Sequence, residues 1–109
     1  MNNTIDHKHL INEILITGGS LPNIRLWIRN VGLATPLYRT HPLFFGIEGE
    51  SDIQGIIAPH GRMISIEVKT GAGKLTLDQE RWRDMMIKFG ALYIEARSLD
   101  QVMKELKSC

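Results

Sequence analysis

Gly49 to Gln79 reads G-E-S-D-I-Q-G-I-I-A-P-H-G-R-M-I-S-I-E-V-K-T-G-A-G-K-L-T-L-D-Q. Two short apolar runs flank Pro59-His60-Gly61-Arg62, a turn signal that holds both Pro and Gly. Strand-like runs joined by four such residues predict a β-hairpin. The second run alternates: Ile64, Ile66 and Val68 point one way, and Met63, Ser65, Glu67 and Lys69 the other. The first run puts Asp52 and Gln54 on one face, with Ile53 and Ile57 on the other. Folded back, the start of one strand lies beside the end of the next, so Asp52 approaches Glu67 and Lys69. Two carboxylates and a lysine then converge on one face of a sheet whose other face is apolar.

Neighbouring carboxylates repel, and one has its pKa raised unless a cation joins them. One lysine neutralises one of the two. A divalent metal satisfies both, through oxygen ligands of the kind Mg²⁺ or Mn²⁺ prefers. The alternative is a strand end carrying ordinary surface charges, since Glu-x-Lys by itself is common. The spacing to Asp52, the hairpin and the Gly-rich lead-in together favour the metal site.

The flanking sequence supplies the other elements. Thr4 caps a first helix that runs to about Thr17, where Gly18 and Gly19 stop it. Leu10, Ile11, Ile14 and Leu15 form its apolar stripe, with Glu13 at the edge. Ile24 to Asn30 alternates as a strand, with Arg25, Trp27 and Arg29 on one face. Val31 to Glu50 is the least regular segment; its Tyr38, Phe44 and Phe45 suit an interface or the core. Thr76 and Gln79 form a capping box for a second helix that ends at Gly90, with Leu77, Trp82, Met85, Met86 and Phe89 inward. Ala91 to Ala96 is a buried strand, and the helix before it makes a crossover that sets it parallel to the hairpin's second strand. Ser98, with Gln101, caps a last helix whose apolar face is Leu99, Val102, Met103 and Leu106. The order is α-β-β-β-α-β-α. The fold class is α/β, a small mixed β-sheet flanked by helices, in one domain spanning residues 1–109.

Composition narrows the function classes. Apolar residues make up 43% and charged residues 23% of the 109, as in globular domains. Thirteen basic residues against twelve acidic argue against DNA binding by bulk charge and leave a local basic patch. Cys109 is the one cysteine, so no intramolecular disulfide forms, which fits a reducing compartment. Met1 to Leu10 has no apolar core of a signal peptide, and no run has the length of a membrane span. The expectation is an intracellular protein with no membrane partner. His7 and His9 are two apart on a helix and do not face each other, and none of the four histidines has zinc-ligand spacing.

Asp52, then Glu67-Val68-Lys69 at the end of the following strand, resembles the PD-(D/E)XK nuclease superfamily. The finer pattern is Gly46-x-x-Gly49-x-x-Asp52, Glu67-Val68-Lys69-Thr70-Gly71, Leu75-Thr76 with Gln79, and Gly90-Ala91. It is similar to the VRR-NUC (virus-type replication-repair nuclease) family, over about Trp27 to Ser98. The superfamily's proline is absent, and Ser51 precedes Asp52.

The resemblance implies a restriction-endonuclease-like fold, with the same element order, and a Mg²⁺-dependent DNA endonuclease in which Mn²⁺ substitutes. It implies that Asp52, Glu67 and the backbone carbonyl of Val68 hold the metal and that Lys69 orients or deprotonates the attacking water. Glu13 either joins the metal shell or is a solvated helix glutamate. Gln79 either lies beside the metal-bound water or phosphate, or only caps its own helix. Arg29 and Asn30 belong to an Arg-Asn-x-Gly stretch that the resemblance includes and would face DNA, the alternative being a solvated strand face; Lys74 reaches a phosphate or is solvated. The implied substrate is branched DNA, first a Holliday junction, with flap or nicking activity, or DNA binding without cutting, as the alternatives. Two cuts related by a two-fold axis imply a homodimer. A viral member would act in the host-cell cytoplasm.

Overall fold

In the computed structural model, the description covers residues 3–29, 32–34, 43–45 and 48–109, with side chains for 6–29 and 48–109. The fold is mixed α/β, with three α-helices and a four-stranded mixed sheet. Helix α1 is Asn3–Glu13, and its chain continues as a π-helical turn, Ile14–Gly18. The strands are β1 (Ile24–Ile28), β2 (Gly32–Ala34), β3 (Leu43–Phe45), β4 (Ile53–Ile57), β5 (Arg62–Val68) and β6 (Leu92–Ala96). Helix α2 (Leu77–Lys88) lies between β5 and β6, and α3 (Leu99–Lys107) follows β6.

The main sheet has the order β1-β4-β5-β6. β4 is antiparallel to β1 and β5, whereas β5 and β6 are parallel, as a helical crossover requires. The hairpin register pairs Ile53 with Ile66 and Gln54 with Ser65. Its turn includes Gly61 at φ +72°, a conformation that favours glycine.

Alternation sorts the sheet into two faces. Ile53, Ile57, Ile64, Ile66, Val68, Ile94 and Ala96 join Leu10, Ile11 and Ile14 of the first helical segment and Val102 and Leu106 of α3 in one apolar core. The other face of β5 carries Ser65 and Glu67, which are also buried, because α2 covers them. Trp82 of α2 donates its indole N–H to Ser65 Oγ at 2.8 Å, so the aromatic body packs while its polar edge stays paired.

Three expectations change. Val31 to Glu50 is not wholly irregular: β2 and β3 form an antiparallel ladder of their own within it. Three-residue strands are too short to leave a period in the sequence. The apolar face of α2 is narrower than expected. Trp82 and Met86 are buried, but Leu77 and Phe89 are 61% and 78% exposed and Met85 is exposed too. Below a four-stranded sheet, the face of α2 in contact is only that wide. Ile28 is likewise exposed, at the end of an edge strand. Gln101, finally, completes half of its capping box. Ser98 Oγ accepts its N–H, but its side chain accepts the N–H of Arg97 and donates to the Glu95 carbonyl.

Among the described residues, no helix is long and apolar enough to cross a membrane.

Candidate metal centre

One step beyond the last register pair, Ile53 with Ile66, Asp52 stands opposite Glu67. On the far side Glu67 pairs in register with Glu95, and on the near side the N–H of Arg29 bonds the carbonyl of Asp52 at 2.9 Å. A row of charged residues therefore crosses the sheet: Arg29, Asp52, Glu67, Glu95. The two central members are buried, Asp52 at 9% and Glu67 at 2% exposure.

The loop before Asp52 is anchored from three directions. The Arg29 guanidinium donates to the Glu50 carbonyl. The Gln54 amide donates to the Ser51 carbonyl at 3.2 Å. Gly49, at φ +81°, lies so close to α2 that a Cβ there would be 2.3 Å from the Asp78 carbonyl oxygen. This position requires glycine twice over, for its backbone angle and for the close approach. The glycine of the lead-in is thus what lets the Asp52 loop lie against the helix that carries Gln79.

Asp52 Oδ2 accepts the N–H of Val68 at 2.8 Å and has His7 Nε2 at 3.3 Å. Glu67 Oε2 has Gln79 Nε2 at 3.4 Å and Lys69 Nζ at 3.9 Å. Glu67 Oε1 is buried, with no hydrogen-bond donor among the described residues. Burial pushes the Glu67 carboxyl up to about 8, and Asp52 adds to this through a hydrogen bond and its charge; Lys69 and Arg29 pull the other way. Without a cation, the raised pKa favours the protonated Glu67 carboxyl. Burial, with the charges of Glu67 and Glu95, also pushes the neighbouring Tyr93 phenol up to about 12.

His7, Asp52 and Glu67 can hold a metal ion: one ligand atom from each lies within 4.8 Å of the others. The donors fit such an ion. A buried oxygen lacks a partner, and two carboxylates share a site with one lysine. A cation would supply that oxygen with a partner and offset the charge of both carboxylates.

Asp52, Glu67, Lys69 and Gln79 come together. Val68 lies between the two catalytic candidates of its strand, its side chain in the core and its N–H on Asp52. Gln79 caps its own helix and also reaches the carboxylate pair. Its side-chain oxygen accepts the Thr76 N–H at 2.9 Å in the capping box, and its amide nitrogen reaches Glu67. Glu13 is not in the cluster: it pairs with His9 at 3.3 Å, one turn back on α1. Arg29 is close enough to lower the Glu67 pKa, but its guanidinium is bound to the loop backbone. Lys74 lines an open cleft of about 330 Å³ with Leu75, Glu80, Arg83, Glu95 and Arg97. Asn30 and Tyr38 lie outside the described residues, as do the side chains of Phe44 and Phe45.

His7 is the residue that sequence reasoning missed, and a signal for it existed. Positions 7, 10, 11 and 14 share one helical face, so His7 extends the buried stripe by one turn. A polar residue in line with a core stripe points where the core ends, and here the core ends at the carboxylates.

A scan against protein-family models finds no match to this sequence, and a search of curated proteins finds none either.

Proposed function

We propose that the protein is a metal-dependent endonuclease that hydrolyses phosphodiester bonds in branched DNA, in the manner of the VRR-NUC nucleases its sequence resembles. The observation that carries the reading is the buried pair Asp52 and Glu67, with an unpartnered Glu67 oxygen and Lys69 Nζ 3.9 Å from the same carboxylate. Asp52 and Glu67, with the Val68 carbonyl, would hold Mg²⁺ or Mn²⁺. Such an ion, when bound, polarises the phosphoryl oxygen and makes water acidic enough to attack at neutral pH.

The chain's own groups do the rest. Val68 N–H fixes one Asp52 oxygen, so that carboxylate is oriented before substrate arrives. Gln79 fixes Glu67 from the N-terminus of α2. The Lys69 ammonium offsets the negative charge that builds on the phosphoryl group as the water oxygen bonds to phosphorus and the P–O ester bond breaks. Lys69 also orients the attacking water. Arg29 adds positive charge on the β1 side, and Lys74 lines the cleft on the β6 side, where Arg83 pairs with Asp84 and Glu80, and Arg97 with Glu95. Arg29 and Lys74 suit the flanking phosphates of a strand lying across the sheet end.

Resolution of a four-way junction needs two cuts related by a two-fold axis, and a chain with one such site supplies them as an isologous homodimer. Exposed Leu77 and Ile87 on α2, Phe89 at its C-cap, and Trp27 and Ile28 on β1 support this: large apolar groups in water favour being covered. Incubation with Mg²⁺ and end-labelled linear, flap and four-way junction DNA tests the reading. Paired symmetric nicks in the junction are expected. Preferential cutting of flaps would make the protein a flap nuclease; binding of branched DNA without product would make it a non-cutting module on this scaffold.

A further inference from the structure

We infer that His7 is a third protein ligand to the metal at Asp52 and Glu67, and that its imidazole biases the site toward Mn²⁺ over Mg²⁺. The inference rests on the reading of the carboxylate pair as a metal site. Three observations carry it. His7 Nε2 lies 3.3 Å from Asp52 Oδ2, and its ligand atom is within 4.8 Å of both carboxylates. Glu67 Oε1, in a residue 2% exposed, has no donor among the described residues, so the cluster contains a buried oxygen that a cation would satisfy. His7 also extends the Leu10, Ile11 and Ile14 stripe, which is buried in the core and fixes the helix over the end of the sheet.

The donor type decides the selectivity. Mg²⁺ takes oxygen ligands and retains much of its water. Imidazole is a softer donor than carboxylate, so adding it to the set raises affinity for Mn²⁺, a first-row transition ion that also accepts carboxylates, relative to Mg²⁺. His7 comes from α1, whereas Asp52 immediately precedes β4 and Glu67 is in β5, so a bound ion would also link the first helix to the sheet.

The test uses the full chain and Mn²⁺ alone, without DNA. Binding is followed by the loss of the free Mn²⁺ electron paramagnetic resonance signal, and ligation by ¹⁴N modulation of the bound ion's spin echo. The wild-type chain should bind Mn²⁺ with ¹⁴N modulation. His7→Ala should lose the modulation and weaken Mn²⁺ by at least about tenfold, while the Mg²⁺ concentration needed to displace a given Mn²⁺ occupancy falls. His7→Gln, which retains a polar helix-forming side chain, gives the same comparison if His7→Ala does not fold. Mn²⁺ bound without ¹⁴N modulation, or modulation and affinity unchanged in both His7 variants, would overturn the role of His7 and leave the carboxylate site standing. Failure of the wild type to bind Mn²⁺, or binding that Asp52→Asn and Glu67→Gln do not weaken, would overturn the site itself and His7 with it.

Discussion

Asp52 Oδ2 accepts the backbone N–H of Val68 at 2.8 Å, which ties one carboxylate to the strand that carries the other. Asp52 therefore has a structural task beside its proposed chemical one. Asp52→Ala should leave the buried Val68 N–H without a partner and cost about 1–3 kcal/mol. Asp52→Asn keeps an acceptor oxygen and should cost less. Urea denaturation of the two variants separates these outcomes; equal, negligible losses would show that the bond contributes nothing.

Glu67 gives the metal-free chain a definite pH dependence. Its folded pKa is raised to about 8 from an ordinary value of 4.5. Between these values the native state retains a proton that the unfolded state has lost, so the contribution to stability falls as pH rises. It is fully present below 4.5 and lost by about 8. Thermal melts in chelator across pH 5 to 9 should show a decline that Glu67→Gln flattens, the amide being neutral throughout. Identical slopes in the two proteins would contradict the shift.

Gly49 and Gly61 form a matched pair. Both have positive φ, +81° and +72°. A Cβ at Gly49 would be 2.3 Å from the Asp78 carbonyl oxygen, whereas at Gly61 nothing lies within 4 Å. Gly61→Ala should cost only the left-handed backbone penalty, about 1–2 kcal/mol. Gly49→Ala should cost more and, by displacing the start of α2, pull Gln79 from Glu67. Melting temperatures compare the two; equal losses would mean that the Asp52 loop and α2 are not in contact.

Much of this arrangement was legible in the sequence because strand period is simple. Ile64, Ile66 and Val68 against Ser65 and Glu67 gave the two faces of β5, and the turn between the runs gave the approach of Asp52 to Glu67. What alternation cannot give is what covers each face. The polar side of β5 reads like a solvated one, yet α2 buries it, and that burial is what raises the Glu67 pKa. On α2 the apolar residues outnumber the places available: Trp82 and Met86 fill the contact, and Leu77 and Phe89 remain outside. On α1 the spacing of Leu10, Ile11 and Ile14 contained His7, but Glu13, one carboxylate among others, drew the metal assignment. The helix position relative to Asp52 depends on tertiary packing, which no local pattern encodes.

Lys69 should separate chemistry from binding. Its Nζ lies near Glu67 rather than in open solvent, 3.9 Å from Oε2. Lys69→Ala should slow junction cleavage by about 10²–10⁴-fold, as for loss of a group that assists proton transfer. DNA affinity, measured in Ca²⁺ to prevent turnover, should change little. Parallel losses in rate and affinity would reduce Lys69 to a phosphate contact.

The central claim is that Asp52 and Glu67 hold the ion on which strand cutting depends. The most direct measurement is single-turnover cleavage of a labelled four-way junction by wild type and by Glu67→Gln, each in Mg²⁺, in Mn²⁺ and in excess chelator. Cleavage by the wild type in either metal, none in chelator, and none by a folded Glu67→Gln in any condition is the predicted result. Cutting that persists in chelator, or a Glu67→Gln chain that cuts as fast as the wild type, would contradict it.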